Sequence, residues 1–144
     1  MAEGHVFKGY LPGGASGGIL PASKGDIPLD FGGELAEEGC FVGSHAVVVL
    51  SDRDNMWDAA RNLMAFFAHE SCGQCTPCRN GTEKAVAMMG AAAPDIDLLG
   101  ELAVTMADAS ICGLGQAASN PLVSVMKHFP EDIAGRDSKA GDHE

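Results

Sequence analysis

The sequence predicts an α+β fold, and two contrasts along the chain carry that reading. Residues 1–50 hold short strand candidates around Gly- and Pro-rich turns, whereas residues 51–134 carry apolar side chains at helical spacing. A third observation sets the scale: 144 residues suit one domain, or two small units that share a core. The 46% hydrophobic fraction is ordinary for a folded protein, but only eight residues are Phe, Trp or Tyr, so aliphatic and Met side chains must fill the core.

Residues 5–11 form the first strand candidate. The stretch Leu11-Pro-Gly-Gly-Ala-Ser-Gly-Gly-Ile-Leu-Pro21 follows as a loop. It lacks the Lys-Ser/Thr ending of a phosphate-binding loop and the spacing of a dinucleotide fingerprint, so it reads as a structural turn. Residues 31–38 make a short helix with Asp30 as its cap. Residues 45–50 make the next strand, and Val47, Val48 and Val49 predict burial on at least one side. Cys40, isolated in an apolar segment, reads as a small buried hydrophobe.

Four helices are expected over residues 51–134. Ser51 or Asp54 caps the first, in which Met56, Ala59, Ala60, Leu63, Met64, Phe66 and Phe67 recur on one face. Gly73 and Pro77 break that pattern, and the second helix starts near Thr82, carrying Ala85, Val86 and the core candidates Met88 and Met89. Pro94-Asp95 marks the third start, followed by Leu98, Leu99, Leu102, Val104 and Met106. The fourth has Asn120 at the cap and Pro121 at the first helical position, then Leu122, Val125, Met126 and Phe129. Pro130 ends or kinks it. Residues 135–144 read as a flexible tail.

Charge and cysteine usage narrow the function. Nine Lys and Arg stand against 20 Asp and Glu, a net charge of −11, so no basic stripe is available for a nucleic-acid partner. The longest aliphatic run, residues 46–50, falls far short of the roughly 20 residues a membrane span needs, which argues against direct membrane insertion. No basic, apolar, small-residue opening resembles a secretory signal, and the expected compartment is the cytoplasm. Five cysteines are present, an odd number, with three inside seven residues. In a reducing compartment such clustering reads as metal or cluster ligation rather than a disulfide framework.

The central motif is Glu70-Ser-Cys-Gly-Gln-Cys-Thr-Pro-Cys-Arg79. Cys72, Cys75 and Cys78, each separated by two residues, let one turning stretch of backbone offer three thiolates to one side. Cys112 follows after 33 intervening residues and returns to the same centre if the helices pack up and down. Three plus one suits a cubane cluster, whereas structural zinc usually takes two ligands from each of two knuckles. A zinc-stabilised interaction domain with no redox role remains the alternative. Arg79 offsets part of the thiolate charge, and His69 is either a donor to the site or a residue closing the end of a helix. No Ser-His-Asp or Cys-His arrangement suggests nucleophilic catalysis.

These residues also carry a resemblance. The stretches Ala68-His-Glu-Ser-Cys-Gly-Gln-Cys-Thr-Pro-Cys-Arg-Asn-Gly-Thr-Glu-Lys84 and Ser110-Ile-Cys-Gly-Leu-Gly-Gln-Ala-Ala-Ser-Asn-Pro121 resemble the C-terminal part of the NADH-dehydrogenase flavoprotein subunit family. That family includes the peripheral flavin subunit of respiratory complex I and the beta subunit of NAD-dependent formate dehydrogenase. The stretch from Gly113 to Pro121 is most similar to the formate dehydrogenase and NAD-linked hydrogenase branches. The likeness spans about residues 5–134.

The resemblance implies that Cys72, Cys75, Cys78 and Cys112 ligate a [4Fe–4S] cluster in a four-helix domain, residues 51–134. It implies that residues 1–50 are part of a β-grasp segment of the ubiquitin-like, soluble-ligand-binding type (SLBB). Gly113 and Leu114 are implied FMN contacts in the full subunit. The family's flavin- and NADH-binding domain has no counterpart here, so FMN and NAD belong to the full-length subunit or complex, and NADH oxidation is not expected from this chain alone. The implied role is electron relay between FMN and other iron–sulfur clusters within a multisubunit NAD-linked oxidoreductase, whose other subunits are the partners.

Overall fold

Residues 4–134 are described by a computed structural model. Strand β1 (Phe7–Leu11) is the middle of a three-stranded antiparallel sheet, with β2 (Leu20–Pro21) and β3 (Val48–Ser51) at its edges. The glycine-rich loop between β1 and β2 turns its backbone onto residues 41–46. Gly14 N donates to Ala46 O at 2.8 Å, Ser44 N to Gly13 O at 2.9 Å and Phe41 N to Gly17 O at 3.2 Å. These bonds join two parts of the same segment, the work of a structural turn.

The valine run corrects one expectation. Val47, Val48 and Val49 are 50%, 44% and 53% exposed, so the strand forms without the burial its composition predicts. β-Branched residues favour a pleated backbone whether or not anything covers it, and β3 lies at the sheet's edge. The short helix is also smaller than expected. Helix α1 (Glu34–Glu37) is one turn, begun by Gly33, while Asp30 Oδ1 accepts from the neighbouring Phe31 N–H at 2.7 Å instead of capping it.

Helix α2 (Met56–Glu70) is capped by Asn55, whose side-chain oxygen accepts from Asp58 N at 3.0 Å. The expected caps pair with each other one turn earlier, since Asp54 Oδ2 accepts from both Ser51 N and Ser51 Oγ. Helix α3 (Thr76–Met89) begins six residues before the expected Thr82. Pro77 sits in its first turn, where a missing N–H leaves no hydrogen bond unmade, so the residue read as a breaker is a starter. Helix α4 (Ile96–Ala109) begins where expected, with Asp95 accepting from Leu98 N at 3.0 Å.

A short helix, α5 (Gly113–Ala117), adds to the four expected from sequence. Helix α6 (Asn120–His128) has Pro121 in its first turn, but Ser119 holds the cap position, and Asn120 Nδ2 donates to Ser16 O at 3.0 Å. The chain breaks at Phe129, and Pro130 opens a separate turn, α7 (Pro130–Ala134). The tail expected over residues 135–144 lies outside the described residues. Among those residues no helix is long and apolar enough to cross a membrane.

Helices α2, α3, α4 and α6 touch in a ring, α2 against α3 and α6, and α4 against α3 and α6. The main core fills that ring with Met56, Trp57, Met64, Met89, Leu99, Leu122, Val125 and Phe129, and takes Leu11 and Ile19 from the first segment. Trp57 is fully buried and its indole N–H donates to Met89 O at 3.0 Å, which satisfies the one polar atom that burial would otherwise strand. A second cluster under the sheet holds Tyr10, Leu20, Leu35, Cys40 and Val42. A third, of Phe67, Met106 and Ala118 with Leu102 and Leu114 against it, reaches the site described next through Leu114. The first and last elements are clasped together. Lys8 Nζ lies 2.7 Å from Asp132 Oδ2, and the same oxygen accepts from Met56 N at the start of α2 at 2.6 Å.

Candidate functional site

The cysteine motif spans the turn between α2 and α3. After Glu70 the chain leaves the helix at Ser71 and turns at Gly73, whose φ of +76° is a conformation that side-chain-bearing residues rarely adopt. It enters α3 at Cys75, the N-cap residue, with Cys78 in the first turn. Arg79 folds back over this turn: its guanidinium donates from Nη1 to Gly73 O at 3.0 Å and from Nε to Asn80 Oδ1 at 3.3 Å. It thus holds the cysteine turn in shape as well as bringing positive charge near it. His69 pairs with Glu70 at 3.0 Å on the exposed last turn of α2, a helix-end position.

Cys112 arrives from the other side. It is the N-cap residue of α5, extended at φ −142° and ψ 166°. Gly115 lets α5 come this close: a Cβ there would lie 2.5 Å from Ser110 Oγ and 2.8 Å from Cys78 Cβ. The result is a cavity of about 120 Å³ lined by Cys72, Cys75, Cys78 and Cys112, with Glu70, Ser71, Gln74, Ile111 and Leu114 completing its wall. All four sequence-predicted cysteines meet there. Cys78 is buried, Cys75 is intermediate, and Cys72 and Cys112 are exposed, so the site has a protein side and a solvent side.

Among the described residues no three His, Cys, Asp or Glu side chains converge closely enough for one metal ion.

The surroundings favour thiolate at Cys75. Its side chain closes no cap bond at the α3 N-terminus, yet its thiol is held below the ordinary cysteine range, first by the Ile111 N–H, then by the Cys78 N–H, with burial opposing. A second hydroxyl, Ser71 Oγ, lies 3.3 Å from Cys78 Sγ and accepts from Gly73 N at 3.3 Å. Its own proton is thereby free to point at the sulfur. Cys40 is a different case: burial first, then the Glu38 charge, pushes its thiol up to about 11. It packs with Tyr10 and Leu35 in the second core cluster and does not line the cavity.

Sequence spacing does not single out Ser71 and Ser110. The only signal is positional, a hydroxyl within two residues of each outer cysteine, in Ser71-Cys72 and Ser110-Ile-Cys112. Gly113 and Leu114 open α5, and both line a second hollow of about 640 Å³ beside the cysteine cavity, together with Ser16, Phe41, Phe67, Gln116, Ala117 and Asn120. Leu114 belongs to both walls.

Comparison with known proteins adds a family to this geometry. Residues 58–136 match the family described as the NADH-ubiquinone oxidoreductase-F iron-sulfur binding region. The chain is similar to mitochondrial NADH dehydrogenase [ubiquinone] flavoprotein 1 of Dictyostelium discoideum, 38% identical over 139 residues, covering 90% of this chain and 28% of that protein. It is 35% identical to an NADH-quinone oxidoreductase subunit of Mycobacterium tuberculosis, covering 92% of this chain and 31% of that one. It is 33% identical to the HndC subunit of the NADP-reducing hydrogenase of Solidesulfovibrio fructosivorans, covering 90% and 28%. A solved structure of an NAD+-reducing [NiFe]-hydrogenase in the H2-reduced state matches with a TM-score of 0.78 and 29% identity, over 91% of this chain and 23% of that chain. The chain thus spans about three tenths of the length of these curated relatives.

Proposed function

The chain belongs to the NADH-ubiquinone oxidoreductase-F iron–sulfur binding family, and from that premise we propose that it is the electron-relay module of a multisubunit NAD-linked oxidoreductase. The family is defined by a [4Fe–4S] cluster, and the residues we assign to hold it are Cys72, Cys75, Cys78 and Cys112. One observation carries the assignment: four cysteines from two segments, separated by 33 residues between Cys78 and Cys112, line a single cavity. The orphaned Ser110 hydroxyl and the close approach at Gly115 support the fit, because both sit against the cysteine-bearing turn.

A [4Fe–4S] cluster supplies one-electron acceptance and donation. The protein's part is to position and tune. Cys78 and the third apolar cluster keep one side of the centre dry, Arg79 fixes the turn, and Ser71 and the Ile111 and Cys78 N–H groups favour negative sulfur. The second hollow, with Gly113 and Leu114 in its wall, is the side we assign to the flavin of the NADH-oxidising part, which brings FMN close to the cluster in the whole subunit. We read residues 1–50 as a portion of a β-grasp segment of the SLBB type and residues 51–134 as the cluster-binding helical domain. The Gly113 to Pro121 stretch supports a place in the formate dehydrogenase or NAD-linked hydrogenase branch.

Anaerobic reconstitution followed by iron and sulfide analysis tests the assignment. Cys72→Ser, Cys75→Ser, Cys78→Ser and Cys112→Ser should each lose most of the bound iron and the broad visible absorption, while Cys40→Ser keeps both. A fully iron-loaded Cys112→Ser protein would remove the fourth ligand, and a colourless wild-type protein with stoichiometric zinc would overturn the redox role.

A further inference from the structure

One buried polar group stands against the cysteine cavity with no protein acceptor of its own. Ser110 closes α4, where its backbone N–H donates to Met106 O at 3.2 Å and its carbonyl accepts from Gln116 Nε2 at 3.0 Å. The residue is 5% exposed, and its hydroxyl is buried with no hydrogen-bond partner among the described residues. A buried hydroxyl normally has one, because losing water without replacement is unfavourable. The hydroxyl is also held in place. Gly115 leaves room for it, and a Cβ at Gly115 would meet both Ser110 Oγ, at 2.5 Å, and the Cys78 Cβ, at 2.8 Å.

We propose that the Ser110 Oγ–H donates a hydrogen bond to a cysteine sulfur of the bound cluster, one on the Cys75–Cys78 turn that Ser110 packs against, and so acts as a positioning residue that raises the cluster's reduction potential. The inference rests on the reading of Cys75 and Cys78 as cluster ligands. A donor to a ligating sulfur draws electron density from the centre and stabilises the form that carries the added electron, which moves the potential upward. Ser71 plays the corresponding part at Cys78, but it has a second partner in the Gly73 N–H and borders the exposed Cys72. Ser110 is shielded from water, so its bond meets no competition.

The test compares wild type, Ser110→Ala and Ser110→Thr as full chains reconstituted with iron and sulfide. Three quantities are read: iron and sulfide content, the potential from a redox titration followed by electron paramagnetic resonance, and exchangeable deuterons near the reduced cluster after transfer to D2O. Ser110→Ala should keep its iron, shift the potential to a more negative value and lose one strongly coupled deuteron. Ser110→Thr, which keeps a hydroxyl, should move both readings back towards wild type. An unchanged potential and deuteron signal in an iron-loaded Ser110→Ala protein overturns the proposal and leaves the ligand assignment standing. Loss of iron from Ser110→Ala alone overturns it too, by making the hydroxyl structural. A wild-type chain that takes up no iron and sulfide removes the cluster reading and this inference together.

Discussion

Glu38 ties the sheet side of the molecule to the helices through charge. Its carboxylate lies 2.7 Å from Lys24 Nζ and 3.0 Å from Lys127 Nζ, and 3.2 Å from His128 Nε2 without the alignment of a hydrogen bond. The Lys24 hydrogen bond, then that of Lys127, lowers its pKa from 4.5 to about 2. Burial, then the Lys127 charge, pushes His128 below the usual histidine value, so near neutral pH it adds no cation to the group. A carboxyl depressed by folding contributes its stability in full above pH 4.5 and loses it as the pH falls towards 2. Glu38→Gln should therefore cost about 1 kcal/mol at pH 7, a modest amount because Lys127 is half exposed and water screens it. Urea denaturation of both proteins at pH 7 and near pH 2 reads this out: the difference should close in acid. A gap of equal size at both pH values would trace the loss to shape rather than charge.

At the level of elements, α5 shows where sequence reasoning runs out. It is five residues long, two of them glycine, too short for any apolar period to announce it. Its placement depends on Gly115, and Gly115→Ala would drive a methyl group into Ser110 and Cys78. We expect that variant to keep its helical circular dichroism while binding severalfold less iron; full iron content would show that α5 yields without disturbing Cys112. Other elements were legible because their signals are local. Asp95 and Pro121 mark α4 and α6 to within a residue, since caps and first-turn prolines act through the nearest N–H groups. Pro77 misled because the same residue breaks a helix from inside and starts one from the first turn. Val47 to Val49 foretold a strand but not its exposure, which depends on what lies across the sheet. The four cysteines stood out by spacing alone. Ser71 and Ser110 did not, because a hydroxyl near a cysteine means nothing until the fold sets its direction.

For the molecule as a whole, the proposed ligand set couples cluster binding to folding. Four thiolates from two segments repel one another without a cationic core, and ligation closes the loop that runs through α3 and α4. The far ends of those helices have their own support in Met89 and Leu99, buried beside Trp57. The near ends rest on the small third cluster, where Ala118 offers little apolar area. Removing the cluster should therefore loosen residues 70–118, most strongly around the two cysteine segments, while α2 and the strands keep their protection. Hydrogen exchange on apo and loaded protein measures this. Equal protection of residues 70–118 in both forms would mean that the helices are fully preformed.

The Lys8–Asp132 clasp has a consequence for how the chain comes into being. Its two halves are 124 positions apart, and Asp132 also serves the first N–H of α2. A ribosome adding about 5–20 residues per second makes the first strand roughly 6–25 seconds before the carboxylate that completes it. Throughout that interval Lys8 has no buried anion to meet, and the start of α2 lacks its acceptor. The native arrangement is thus sealed from the C-terminal side, after the cysteine segments have already emerged. All four cysteines are therefore in the chain before Asp132 is added, and the clasp closes around helices that already carry them.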